Sequence, residues 1–347
     1  MPTFHPTSPL VTDIDAEVLE AQRQTNALLA GFPHPDVRTP EGLATLRTLT
    51  ANNEQGTVLT PGDRMIETGA GAIRLRTFVP DVPIRGVMLR IHGGGWAAGA
   101  PEDDDTVNDR YARACGLVIV SPEYRLTPDV TAVEQIAECV AVAEWLAVNA
   151  AAEFGSDTML IGGISAGAHL AAATLLQLRA ESPTTFGRIV AAVLDSGPYD
   201  FGRTPSAYLA NDETLIVTGT WLEGFIDLAL PHRTVDELRA PDVSPLLNDL
   251  TGMPPALFTV GNLDPLRDES ILMAARWQLD GGRADLDVWP EGPHAFANIA
   301  TPLGELAADR ATSWISAVLD AATVERVTEP ARGLLEKGAR RQRGASS

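Results

Sequence analysis

The sequence predicts an α/β fold with a mostly parallel central sheet flanked by helices. Three observations lead there. From about residue 72 onward, short β-rich runs alternate with helix-length segments. The later runs are almost continuously apolar, which is the pattern of strands covered on both faces. Hydrophobic residues make up 45% of the 347 and aromatics only 5%, enough for one large core built mainly from Ala, Val, Leu and Ile.

Residues 1–60 are polar, with Ile14, Val18, Leu19, Leu28 and Leu29 at roughly helical spacing, so amphipathic helices are expected. The runs AIRLRTFV (72–79) and GVMLRI (86–91) read as the first strands. GLVIV (116–120), TMLIGG (158–163), IVAAVLD (189–195), ALFTV (256–260) and ADLDVW (284–289) read as the rest. Helices are expected over 132–153, 166–180, 265–280 and 303–320. Strand–helix alternation implies right-handed crossovers and parallel pairing. The stretch 201–250 breaks the alternation and carries Tyr208, Leu209, Trp221, Leu222, Phe225, Ile226 and Leu228. So many large apolar groups need cover, so this stretch reads as an insertion packed over the end of the sheet. The tail from about 325, ending RRQRGASS, is polar and basic, and is expected to lack fixed structure. The chain thus divides into an N-terminal helical segment (1–60), a main domain (61–324) with an insertion at about 200–250, and the tail (325–347).

The formal net charge of -20 repels nucleic acid and anionic lipid and disfavours polyanionic substrates. The only lysine, Lys337, lies in the tail, which excludes a Schiff-base mechanism. Cys115 and Cys139 read as small buried side chains in a reducing compartment rather than a disulfide. There is no basic stretch followed by an apolar run at the N-terminus and no segment of membrane-spanning length, so a soluble cytoplasmic protein is expected.

Chemistry enters at Gly163-Ile164-Ser165-Ala166-Gly167, which follows an apolar strand and opens an Ala/Leu-rich helix. This is G-x-S-x-G in a strand–turn–helix context, where a sharp turn pushes the serine hydroxyl out of the sheet's end. The bland alternative is a helix-capping serine. His92-Gly93-Gly94-Gly95, followed by Trp96, ends the strand GVMLRI. Such a glycine loop supplies backbone donors to the charge that develops during acyl transfer. The expected donors are the amides of Gly93, Gly94 and Ala166. A phosphate cradle is disfavoured because no G-K-[ST] follows. His92 reads as a structural residue of this loop.

A serine of this kind needs a base and an acid in the order Ser, Asp/Glu, His. Of the downstream histidines, His169 sits one turn into the helix after Ser165, and His232 lies in the insertion. His294, in the loop PEGPHAF after a strand, is the base by placement. Asp264 ends a strand and is favoured as the acid over Asp268, which lies further into a helix. Asp264 followed by Pro265 fits a plain helix cap equally well. No paired spacing such as H-E-x-x-H is present, so no metal is expected.

Together, HGGGW (92–96), EYRLTPD (123–129), GISAG (163–167), DPLRDE (264–269) and PHAF (293–296) make the chain resemble the hormone-sensitive-lipase-like esterases of the α/β-hydrolase superfamily. The resemblance covers about 72–320. It implies that the first aspartate of D-P-L-x-D, Asp264, is the triad acid. It further implies a cap built from 1–60 and about 200–250, hydrolysis of short- to medium-chain esters without a cofactor, and a homodimer through an edge strand. Two positions depart from the family pattern. Ile164 replaces the usual Asp or Thr before the nucleophile, and Ala295 replaces a glycine after the histidine. Trp96, Trp221 and Phe225 suggest an enclosed apolar substrate pocket. An amidase or lactonase would need the same machinery. A non-catalytic receptor on this fold would be expected to have lost Ser165, Asp264 or His294, and all three are present.

Overall fold

The structure, a computed structural model, describes residues 10–51 and 56–344, with side chains up to residue 324. Its sheet has eight strands in the order β1-β2-β4-β3-β5-β6-β7-β8. These are β1 (Gly62–Thr68), β2 (Gly71–Phe78), β3 (Gly86–Ile91), β4 (Leu117–Glu123), β5 (Met159–Ile164), β6 (Ile189–Asp195), β7 (Ala256–Gly261) and β8 (Ala284–Trp289). Short turns aside, the helices are α1 (Ala16–Leu29), α2 (Pro40–Thr50), α3 (Asp105–Cys115), α4 (Ala132–Phe154), α5 (Ala166–Glu181), α6 (Gly219–Ala229), α7 (Arg267–Leu279) and α8 (Pro302–Gly344).

From β3 to β8 all pairing is parallel, with Leu89 opposite both Val120 and Ile161, and Ile164 opposite Asp195. Strands β1 and β2 form an antiparallel hairpin whose second strand pairs antiparallel with β4. The sheet buries both faces. Leu89, Ile91, Ile161 and Phe258 meet α4, α5 and α7 on one side. Phe78, Met88, Ile119, Leu160 and Leu257 meet α3 and the start of α8 on the other. This double cover explains the uninterrupted apolar runs.

All seven strands expected from the sequence are present. The hairpin strand β1 adds an eighth, largely exposed along its length. Its anchors are charged: Arg74 and Arg76 of β2 reach Asp63, and Arg76 also pairs with the buried Asp105 at 2.7 Å. The tail expected to lack structure from about 325 instead continues α8 to Gly344. It extends an existing helix, so no new nucleus has to form, and the helix runs on through Pro330 and Gly333 against their low propensity. Its side chains lie outside the described residues.

The N-terminal segment runs along one edge of the sheet. Val11 donates its amide to the Val288 carbonyl (3.0 Å), and Leu10 forms a parallel bridge to Val288. The chain then enters α1, where Asn26 donates to the Glu291 carbonyl at 2.8 Å. The insertion between β6 and β7 carries α6.

Candidate active site

The turn between β5 and α5 places Ser165 at the C-terminal end of the sheet. Ser165 has φ 55° and ψ -125°, a strained conformation for a residue with a Cβ. The flanking glycines make the turn possible. A Cβ on Gly167 would lie 2.0 Å from the Ile91 carbonyl oxygen, and one on Gly163 would lie 2.4 Å from the backbone of Gly167. Any side chain at either position would push β3 and α5 apart. Ser165 donates its own amide to the Asp195 carbonyl on β6 (2.8 Å), which ties the strained residue to the sheet.

His294 and Asp264 converge on the serine. His294 Nε2 lies 2.8 Å from Ser165 Oγ, and Nδ1 lies 3.1 Å from both carboxylate oxygens of Asp264. Facing two acceptors, Nδ1 carries the proton, which leaves Nε2 as the acceptor for the serine hydroxyl. Asp264 and His294 are both buried, which strengthens their interaction. Asp264 also receives the Leu266 amide at 2.8 Å. It therefore shapes the entry to α7 as well as facing the histidine, although the helix begins at Arg267 rather than at Pro265. Asp268 does something different. It accepts the Ser206 amide, and Ser206 Oγ accepts the Asp268 amide, both at 3.0 Å, which pins the insertion to α7.

Gly93, Gly94 and Ala166 gather beside the serine on the wall of one cavity. Among the described residues no group accepts a hydrogen bond from their amides. His92 braces the loop from behind. Its Nδ1 donates to the Gly93 carbonyl (2.8 Å), and its ring stacks on Tyr124 at 4.2 Å, whose hydroxyl donates to the His92 carbonyl. Burial holds the His92 pKa down near 4, so the ring stays neutral. His169 is likewise held near 4 by burial. Its Nδ1 accepts from Trp96 Nε1 and its Nε2 donates to the Val243 carbonyl (2.8 Å), which joins α5 to the insertion. His232 lies on the insertion with φ 64° and does not line the cavity.

The cavity measures about 810 Å³. The N-terminal segment supplies Phe32, Leu46 and Leu49, and the insertion supplies Ile216, Trp221, Leu222 and Phe225. The three predicted pocket aromatics all reach it, in different ways. Phe225 covers Gly95, where a Cβ would sit 2.6 Å from its ring. Trp221 stacks edge-on between Phe32 and Phe225. Trp96 lines the cavity with its indole packed against Phe201, ring centroids 4.7 Å apart. Ile164 lines the cavity with its side chain packed under Gly93. Ala295 adopts φ 56° and ψ 23°, which is why glycine suits that position. Sequence reasoning missed Asp103, Asp104 and Asn298 on the cavity wall. Among the described residues no three His, Cys, Asp or Glu side chains are grouped to hold a metal ion, and no helix is long and apolar enough to cross a membrane.

Comparisons with known proteins agree with this architecture. Residues 88–298 match the family defined by the α/β-hydrolase fold. The chain is 28% identical over 245 residues to an arylesterase of Saccharolobus solfataricus, covering 64% of this chain and 74% of that protein. It is 26% identical over 307 residues to the carboxylic ester hydrolase LipN of Mycobacterium tuberculosis, covering 82% and 72% respectively. Among solved structures, a hyperthermophilic esterase of the archaeon Pyrobaculum calidifontis superposes with a TM-score of 0.70 at 27% identity, over 88% of this chain and 99% of that one. The chain belongs to the family defined by the α/β-hydrolase fold.

Proposed function

We propose that the protein hydrolyses carboxylic esters of short- to medium-chain acids, with Ser165 as nucleophile, His294 as general base and Asp264 as the group that orients it. The observation that carries this reading is the unbroken chain Asp264–His294–Ser165, at 3.1 and 2.8 Å, opening onto an apolar cavity. His294 Nε2 takes the hydroxyl proton as Ser165 Oγ attacks the carbonyl carbon. The oxygen that becomes negative is received by the amides of Gly93, Gly94 and Ala166, a type of contact worth about 3 kcal/mol per donor. His294 then protonates the departing alcohol and leaves an acyl group on Ser165. A water deprotonated by His294 releases the acid. No step needs a cofactor or a metal.

The names of the relatives, arylesterase and carboxylic ester hydrolase among them, support the ester bond as the target. In the same reading, residues 1–60 and about 200–250 act as the cap over the main domain, supported by their shared lining of the cavity. The compartment is the cytoplasm, where Cys115 and Cys139, both buried and unpaired, stay reduced.

The test is a panel of p-nitrophenyl esters, acyl amides and lactones, combined with fluorophosphonate labelling and peptide mapping. The expected result is ester turnover and a single adduct on Ser165. Full activity in Ser165→Ala would overturn the mechanism, and preference for amides or lactones would overturn the substrate class.

A further inference from the structure

Strand β3 carries one charged residue in an otherwise apolar run, Arg90, and its side chain is fully buried. Among the described residues no acceptor lies within 3.5 Å of its guanidinium nitrogens. Instead the group is suspended between two buried carboxylates. Nε lies 3.7 Å from Asp104 Oδ2 and Nη1 lies 3.6 Å from Asp195 Oδ2, with the Tyr111 ring 5.3 Å away on a third side. Taking three charges out of water costs several kcal/mol per ion, and an apolar residue of similar size would ordinarily serve a core better. Burial pushes the Asp195 carboxyl up to about 6 even with Arg90 pulling it down, so the three groups are held there at a real cost.

Each of the three contacts one part of the site. Asp104 Oδ1 accepts from Asn298 Nδ2 at 2.7 Å, and Asn298 closes the single turn Phe296–Asn298 that follows His294. Asp195 faces Ile164 across the sheet, and its carbonyl receives the Ser165 amide. Strand β3 itself runs directly into His92 and the glycine loop. The base, the nucleophile and the oxyanion donors therefore each sit on a segment tied to one guanidinium. Arg90 is not on the cavity wall, so it does not touch substrate.

We propose that Arg90 is a positioning residue for the reaction, clamping Asp104 and Asp195 so that the His294 loop, the Ser165 turn and the glycine loop keep a fixed mutual geometry. The inference rests on the ester-hydrolase reading above. It predicts an effect on kcat rather than on substrate binding, because displacing the reacting groups by a fraction of an ångström weakens the transition state while the apolar cavity stays intact.

The test uses the full chain, p-nitrophenyl acetate as substrate, and a fluorophosphonate titration that counts competent Ser165 sites. Arg90→Met alone leaves two facing carboxylates uncompensated and can fail to fold, so it is combined with Asp104→Asn, whose amide oxygen can still accept from Asn298. In this double variant kcat per titrated site is expected to fall roughly tenfold with KM changed less than about twofold. Arg90→Lys, which keeps a cation between the carboxylates, is expected to retain most of the wild-type kcat. Unchanged kcat per site in the double variant overturns the proposal, because a merely structural residue lowers the number of competent sites and not their turnover. A loss expressed in KM, or one that lysine does not rescue, also overturns it. Wild-type protein that neither hydrolyses the ester nor labels at Ser165 overturns the functional reading instead, and the positioning role falls with it.

Discussion

Substituting the two neighbouring aspartates separates their roles, because the structure gives each a different set of partners. In Asp264→Asn only one oxygen remains. The Leu266 amide, 2.8 Å from Oδ1, competes for it and draws it toward the start of α7. The new NH2 then faces His294 Nδ1, which in the wild type lies 3.1 Å from both oxygens. A donor at that place favours the ring tautomer with its proton on Nε2, and such a ring cannot accept the Ser165 proton. Serine hydrolases disabled in this way lose on the order of 10⁴ in rate, equivalent to about 5.5 kcal/mol of transition-state stabilisation. Folding should be little affected, since the helix-entry bond survives. Asp268→Asn retains an oxygen for the Ser206 amide and should lose no more than about threefold, with a stability change near 1 kcal/mol. The assay is kcat/KM on p-nitrophenyl acetate alongside urea denaturation. A larger rate loss in Asp268→Asn than in Asp264→Asn, or an Asp264→Asn enzyme within tenfold of wild type, would refute the reasoning.

Two further outcomes are expected. Glu269 is buried and accepts the amides of Tyr199, Asp200 and Thr204, yet burial outweighs them and pushes its carboxyl up to about 7. A folded pKa above the ordinary value of 4.5 adds stability that is complete below about 4.5 and is lost as pH rises through about 7; this amounts to on the order of 3 kcal/mol. Urea denaturation should therefore give lower stability at pH 8 than at pH 5, and Glu269→Gln should be less stable at pH 5 with a shallower slope; an unchanged slope would contradict the assignment. Phe225→Ala removes the ring over Gly95, so an acyl-chain series should shift toward longer esters, with roughly 0.8 kcal/mol gained per additional buried CH₂; an unshifted optimum would mean that this wall of the cavity does not meet the acyl chain.

The parts of the fold that were legible in the sequence are those where one local rule dominates. Strands β3 and β6 begin and end as their runs GVMLRI and IVAAVLD do, because burial on both faces leaves no polar alternation to blur the limits. Strand β1 escaped notice for the opposite reason: its residues GDRMIET are mostly exposed, and what holds it is pairing with β2 and arginine–carboxylate contacts. Ser165, Asp264 and His294 could be read because a strained turn and a fixed chain order leave a local signature. Arg90 could not, since nothing in VMLRI says that Asp104 and Asp195 will fold over it. Trp96, read from the sequence as part of an enclosed apolar pocket, lines the cavity and also packs on Phe201 and His169.

The bond between Val11 and Val288 bears on how the molecule meets its own kind. A parallel sheet that stops at β8 would offer a row of unpaired backbone groups, a template on which a second chain can add. Here the first rung of that ladder is already occupied by the chain's own Leu10 and Val11. Any chain adding at this edge has to compete with a tethered segment whose local concentration no free partner matches. Pairing at β8 therefore competes with the segment at Leu10 and Val11, and substitutions in that segment change the competition without touching Ser165, Asp264 or His294.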